Sequence, residues 1–81
     1  MTDWNDKEQV IKAVSKNGYG LEKASKELKT DREIVMAAVQ NDGSALQYAS
    51  DESRADREIV LTAVQENGNA FEYASKELRA D

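Results

Sequence analysis

Apolar and polar positions along this chain follow a helical pattern that recurs every 25 residues. The clearest unit is Asp31 to Ala55, DREIVMAAVQNDGSALQYASDESRA, and Asp56 to Ala80 repeats it closely as DREIVLTAVQENGNAFEYASKELRA. A more divergent copy is Asp6 to Thr30, DKEQVIKAVSKNGYGLEKASKELKT. The pattern predicts a lead-in at residues 1–5 and a single domain at residues 6–81, built from repeats 6–30, 31–55 and 56–80.

Each repeat predicts a helix–turn–helix unit. An Asp opens the first helix, because its carboxylate can accept hydrogen bonds from the first-turn N–H groups. These caps are Asp6, Asp31 and Asp56. An Asn-Gly or Asp-Gly pair ends the helix, and we expect its Gly to take the left-handed conformation. A second helix then runs to about Leu28, Ser53 or Leu78. The predicted fold is therefore all-α, with six short helices of about 8–11 residues and no strand.

The first helix of repeat two carries the widest apolar surface. Its apolar side chains cover roughly 200° of arc. They are Ile34, Val35, Met36, Ala38 and Val39. An arc of that width contacts neighbours on two sides, so we expect this helix to be the most buried element. The second helices have a narrower stripe, which predicts an outer position. Two architectures fit the pattern, a short α-solenoid and a compact closed helical bundle.

The two ends of the repeat array differ. Repeat one has polar residues where the other repeats have apolar or uncharged ones, at Gln9, Lys12 and Lys23, and Trp4 lies just before its cap. Both features are typical of a capping repeat that faces water. Repeat three keeps the core-type residues Ile59, Val60, Leu61, Phe71 and Leu78. We therefore expect this face to meet further repeats or to mediate self-association.

The repeat motif resembles a family of short tandem repeats known as a domain of unknown function. The segments that carry the resemblance are DREIVLTAV, NG, AF and YASKELR. Units of that family read approximately D-R-E-[IV]-V-L-x-A-V-x-x-[ND]-G-x-A-L-x-Y-A-S-x-E-L. The resemblance covers residues 6–81 and is closest in repeats two and three. It implies a helical repeat that occurs in variable copy number, often within larger proteins. It transfers no catalytic residues to this chain.

Composition narrows the classes of partner. The formal net charge is −5 over 81 residues, which argues against nucleic acid and anionic membranes, since both need a basic surface. The longest apolar run, residues 34–39, is far too short for a membrane span or a signal peptide. Cytoplasmic solubility is the default expectation. The absence of Cys excludes disulfides, and the absence of His removes the commonest metal ligand and general base.

The polar residues do not form a catalytic pattern. The many carboxylates fall at helix caps and on polar faces, and no serine has a His partner, so we predict no enzyme, metal site or cofactor. A protein-interaction or scaffolding module is the favoured function, and a repeat-type nucleic-acid binder is the alternative. The candidate partner-binding residues are Arg32, Arg57, Tyr48, Tyr73 and Ile59. For the arginines the competing interpretation is exposed salt bridges, and for the tyrosines it is partial core packing.

Overall fold

The computed structural model describes residues 1–80, and this part of the chain is all-α with no β-strand, which confirms the predicted fold class. The α-helices are α1 (Lys7–Lys16), α2 (Arg32–Asn41), α3 (Asp51–Arg54), α4 (Arg57–Glu66) and α5 (Lys76–Ala80). The same residues include 3₁₀ helices at Gly18–Lys23, Leu28–Thr30, Gly43–Tyr48 and Gly68–Tyr73.

The long α-helices begin directly after the three Asp caps, as the sequence predicts. The Asp31 carboxylate accepts hydrogen bonds from the backbone N–H groups of Glu33 and Ile34, at 3.0 and 3.3 Å. Asp56 caps α4 in the same way, and Asp6 accepts from Gln9 N–H at the start of α1. Each cap satisfies N–H groups that have no partner within the helix. The local signal in the sequence is therefore sufficient to fix where these helices start.

The second half of each repeat differs from the prediction. In place of one α-helix of about 8–11 residues, it contains a six-residue 3₁₀ helix and then a separate short helix. The 3₁₀ helices end at Ala24, Ala49 and Ala74, which are extended, with ψ of 152°, 162° and 160°. The Ser that follows donates its backbone N–H to a carbonyl of the preceding segment of the chain, so the helix cannot continue through it.

Ser50 and Ser75 directly precede the short helices α3 and α5, and Ser25 lies three residues before the 3₁₀ helix that begins at Leu28. The Oγ atoms of Ser25, Ser50 and Ser75 accept the backbone N–H three residues later, at 3.3, 3.2 and 3.3 Å. At Ser50 and Ser75 this is N-capping, whereas the sequence analysis placed no helix boundary at the three serines. The signal was present, because an acidic residue follows each Ser within the next two positions.

The prediction of a left-handed glycine at the end of each long helix is wrong. No residue in the described range has a positive φ. The residue before the Gly is extended instead, with φ of −148° at Asn17, −151° at Asp42 and −152° at Asn67. Its side chain accepts the N–H two residues later. One Asn or Asp therefore ends the α-helix and begins the 3₁₀ helix.

The long helices pack side by side, with α2 between α1 and α4, and the six-residue 3₁₀ helices form a second row against them. Helix α2 buries four side chains, Ile34, Val35, Ala38 and Val39, more than either neighbour. The prediction that α2 is the most buried element is therefore confirmed. The molecule measures 40 × 21 × 15 Å. Among the described residues, no helix has the length and apolar character needed to cross a membrane.

Candidate interaction site

Adjacent repeats approach each other closely at glycine residues. A Cβ added to Gly18 would lie 2.6 Å from the carbonyl oxygen of Ala38, and one added to Gly43 would lie 2.1 Å from that of Ala63. Both glycines are buried. The N–H of Gly18 donates to Asn41 Oδ1 at 2.8 Å, which ties the two repeats at the same point. Each junction therefore places the start of one 3₁₀ helix directly against the backbone of the next long helix.

Backbone hydrogen bonds cross the repeats in a regular series. Ser50 N–H donates to the carbonyl of Lys29 at 3.2 Å, and Ser75 N–H donates to that of Arg54 at 2.7 Å. Ser25 N–H donates to the carbonyl of Trp4 at 2.9 Å. The lead-in therefore supplies the acceptor that a preceding repeat supplies elsewhere. Its Trp4 ring also packs on the core and lies 5.7 Å from Lys23 Nζ.

Salt bridges join the long helices at their N-terminal ends. Lys7 Nζ lies 3.1 Å from carboxylate oxygens of both Asp31 and Glu33. One repeat later, Arg32 Nε lies 3.0 Å from Asp56 Oδ2, and Arg32 Nη2 pairs with Glu58. A cation at the second position of one repeat thus binds the cap Asp and the following Glu of the next repeat. These bridges are largely exposed, so each contributes modestly to stability.

The salt bridges shift the pKa of the cap carboxylates. The Arg32 guanidinium, helped by the N–H groups at the start of α4, holds the pKa of Asp56 below its ordinary value. Partial burial acts against ionisation of Asp31, but Lys7 and the helix N–H groups outweigh it, so the pKa of Asp31 is also lowered. Both carboxylates are therefore held in the charged form that pairs with the preceding repeat.

The predicted arginine positions lie at these junctions. Arg32 is engaged by the carboxylates of the next repeat, as the salt-bridge interpretation expected. Arg57 has the same position in repeat three and lines an apolar groove on the outer side of that repeat. A role for either residue in binding a partner stays a prediction.

The predicted tyrosines lie half-buried on the 3₁₀ row. Tyr48 meets the ring of Tyr19 edge-on, with centroids 5.7 Å apart. The pKa of the Tyr48 phenol is raised, chiefly because the phenol is partly buried and to a lesser extent because of the nearby charge of Glu22. Tyr48 and Tyr73 both pack against the core, and their predicted role in partner binding remains a prediction.

Ile59 is not at an exposed face, and its predicted placement there is wrong. It is 1% exposed and belongs to the core. The reason is its position one turn before Ala63, whose carbonyl oxygen contacts Gly43, so this side of α4 faces repeat two. An apolar residue in a helix shows that some neighbour covers it, but not on which side that neighbour lies.

The other apolar residues predicted at this face, Val60, Leu61, Phe71 and Leu78, do line an exposed apolar surface of repeat three. Phe71 is 45% exposed, whereas Leu21 and Leu46 at the same repeat position are fully buried. Leu61 is 57% exposed, whereas Ile11 and Met36 are half-buried. We call this surface the C-terminal groove, and its lining residues are Arg57, Val60, Leu61, Val64, Phe71 and Leu78. It contains the positions that a following repeat covers at the two junctions inside the molecule.

The geometry defines a class of protein, the tandem helical repeats, in which each unit packs on its neighbours through equivalent contacts. Residues 6–54 and again residues 40–79 match the domain of unknown function DUF4116, and the chain therefore belongs to that family. This confirms the family resemblance noted in the sequence. No curated protein and no solved structure matches the chain. Among residues 1–80, no cluster of acidic side chains is arranged to hold a metal ion.

Proposed function

We propose that the chain is a short α-solenoid that binds another protein through the C-terminal groove. The observation that carries this proposal is the exposure of Leu61 and Phe71, whose equivalents in the preceding repeats are half-buried and fully buried respectively. Exposed apolar side chains grouped in one groove are typical of protein-interaction surfaces. Phe71 is aromatic, and aromatic residues are enriched at the centre of such interfaces.

The arrangement of the helices supports a solenoid over a closed bundle. Helix α2 separates α1 from α4, and the 3₁₀ helix of repeat two contacts those of both neighbouring repeats. A closed bundle would bring the first and last repeats together and cover the apolar side of α4. The elongated dimensions of 40 × 21 × 15 Å fit a row of units better than a closed bundle.

The alternative function, binding of nucleic acid, has less support. The net charge is −5, and two of the cations that recur along the repeats, Lys7 and Arg32, are engaged with carboxylates of the following repeat. Phosphate binding would have to displace those pairs without a basic surface to draw the ligand in. A protein partner needs no such rearrangement.

The test is affinity capture from an extract of the source organism with wild-type protein, Leu61→Glu and Gln65→Glu. Leu61→Glu places a charge in the groove, and Gln65→Glu places the same charge one turn later on an exposed side of α4. We expect Leu61→Glu to lose bound protein and Gln65→Glu to retain it, with both variants keeping the helical circular dichroism of the wild type. Equal capture by both variants, or no capture by the wild type, would contradict the proposal.

A further inference from the structure

We propose that a second surface, separate from the C-terminal groove, binds an acidic segment of a partner protein. It is a cavity of about 590 Å³ between repeats one and two. Lys26 and Lys29 line it from repeat one, and Tyr48, Ala49 and Asp51 line it from repeat two. We call it the lysine cavity. Its volume is within the range of about 300–1,000 Å³ that is typical of ligand sites in proteins. This inference goes beyond the proposed function and does not depend on it.

The two lysines are not neutralised within the molecule. Among residues 1–80, neither Lys26 nor Lys29 forms a salt bridge with a carboxylate. By contrast, Lys7, Arg32 and Arg54 each bind at least one carboxylate. The two lysines are three residues apart on one helical turn, where neighbouring like charges repel each other. A carboxylate from outside the molecule would relieve this repulsion.

The equivalent cavity between repeats two and three is internally balanced. It measures about 240 Å³, and its lining contains two cations and two carboxylates, Arg54, Lys76, Asp51 and Glu77. Asp51 has the repeat position of Lys26, and its Oδ1 lies 3.1 Å from Arg54 Nη2. One repeat position therefore supplies a carboxylate partner at this junction and a second cation at the lysine cavity.

The lining of the lysine cavity is net positive. Asp51 is the carboxylate in its lining, and this residue already pairs with Arg54 of its own helix. Tyr48 provides an aromatic wall, and tyrosine is enriched at protein interfaces. Because the pKa of the Tyr48 phenol is raised, the phenol stays protonated at neutral pH and adds no negative charge. The cavity thus combines two cations with an aromatic ring.

The distribution of charge favours a short acidic peptide over a nucleic acid. Residues 6–30 contain six lysines and four carboxylates, whereas residues 31–80 contain five cations and ten carboxylates. The attractive charge is therefore confined to repeat one, and a long polyanion would also meet the acidic repeats. Nucleic-acid binding draws on basic residues along an extended surface. Two lysines suit the one or two carboxylates that a protein segment can place in a single cavity.

The first test measures binding of a fluorescein-labelled hexaglutamate peptide by fluorescence anisotropy at low salt. Lys26→Gln and Lys29→Gln are combined in one variant, and Lys12→Gln and Lys16→Gln in a control that removes the same charge from α1. We expect the cavity variant to bind about tenfold more weakly than the wild type, because two charge pairs are lost, and the control to lose less than about threefold. Absence of binding to the wild type, or equal losses in the two variants, would overturn the inference.

The substitution Lys26→Asp separates binding from stability, because it copies the arrangement of Asp51 and Arg54 in repeat two. The new carboxylate can pair with Lys29 three residues later, so the Tm should be unchanged or raised while peptide binding is lost. A purely structural role of Lys26 would lower the Tm instead. Binding equal to that of the wild type, or loss of binding accompanied by a lower Tm, would count against the lysine cavity.

Two comparisons identify the occupant. A fluorescein-labelled oligonucleotide of six thymidines presents phosphates in place of carboxylates, and tighter binding of this probe through Lys26 and Lys29 would overturn the choice of an acidic peptide. Leu61→Glu, which tests the C-terminal groove, should bind the hexaglutamate peptide like the wild type. Loss of peptide binding in Leu61→Glu would show that the two surfaces are not separate. Failure of protein capture refutes the proposed function alone, whereas failure of peptide binding refutes only this inference.

Discussion

Replacing Gly43 by alanine should force repeats two and three apart. The added Cβ would lie 2.1 Å from the carbonyl oxygen of Ala63, whereas ordinary van der Waals contact begins at 3.4 Å. The two backbones must therefore separate by about 1.3 Å, the difference between those distances. Because no glycine in the described range has a positive φ, alanine can adopt the same backbone conformation. The cost therefore arises from crowding against repeat three, where the Ala63 carbonyl carbon and Asn67 Cβ would also lie only 3.0 and 3.1 Å from the added Cβ.

The magnitude follows from the contact and from a matched control. Overpacking of this kind costs about 1–3 kcal/mol. Gly68→Ala makes no new contact within 4 Å, and it restricts the unfolded chain, which stabilises the protein by about 0.4–1 kcal/mol. The two variants should therefore differ by roughly 1.5–4 kcal/mol in free energy of unfolding. For a domain of this size, that corresponds to about 6 °C or more in Tm.

Thermal melts followed by far-UV circular dichroism, together with urea titrations, measure both variants against the wild type. Gly18→Ala provides an internal check, because its Cβ would lie 2.6 Å from the Ala38 oxygen and needs a smaller displacement. The expected order of stability is Gly68→Ala, then Gly18→Ala, then Gly43→Ala. Equal stability of Gly43→Ala and Gly68→Ala would refute the close backbone approach at the junction.

Three further predictions concern the core, the salt bridges and the serine caps. Val39→Ala should cost about 1–3 kcal/mol in urea titrations, and more than Val64→Ala at the half-buried equivalent position; equal costs would contradict the packing order. The pKa of Asp56 lies below its ordinary 3.8, chiefly because of Arg32, so the stabilisation is present above about pH 4 and is lost as the pH falls through the lowered pKa. Arg32→Gln should therefore be less stable than the wild type at neutral pH, and chemical denaturation should show this difference narrowing at acidic pH; a difference independent of pH would exclude the pairing. Ser50→Ala should cost about 0.5–2 kcal/mol in thermal melts through loss of a helix cap, whereas Ser50→Thr should retain most of the stability.

Sequence reasoning recovered the features that depend on local chemistry. The repeat length, the Asp caps and the all-α class follow from residues close together in the chain, and α2 could be placed at the centre because its apolar arc requires two neighbours. The Ala-Ser boundary was missed because Ala favours helix. The Ser and the acidic residue after it signal a new helix, but the cross-repeat hydrogen bond of the Ser N–H, which ends the preceding helix, is visible only in the structure.

The glycines show where local reasoning reaches its limit. An Asn-Gly pair after a helix fits a left-handed cap, and nothing nearby in the sequence distinguishes that cap from a close contact with another helix. The choice is made by Ala38, which lies 20 residues after Gly18 in the chain. Ile59 illustrates the same limit, because an apolar pattern indicates burial without naming the neighbour that provides it. Val60, Leu61, Phe71 and Leu78 of the exposed groove were named from the sequence, whereas the burial of Ile59 and the place of Val64 in the groove required the structure.

The lead-in has a consequence for higher-order assembly. A protein that presents a face for the next unit at one end, and the matching face at the other, can join its own copies head to tail into an open filament. Here the Trp4 carbonyl occupies the acceptor position that a preceding unit would supply to Ser25, and the Trp4 ring packs on the core. The two ends of the row of repeats therefore differ, because the lead-in contacts repeat one at one end, whereas Leu61 and Phe71 are exposed at the other. We expect the lead-in to oppose head-to-tail association between copies of this chain, because an incoming unit would have to displace the Trp4 carbonyl from Ser25.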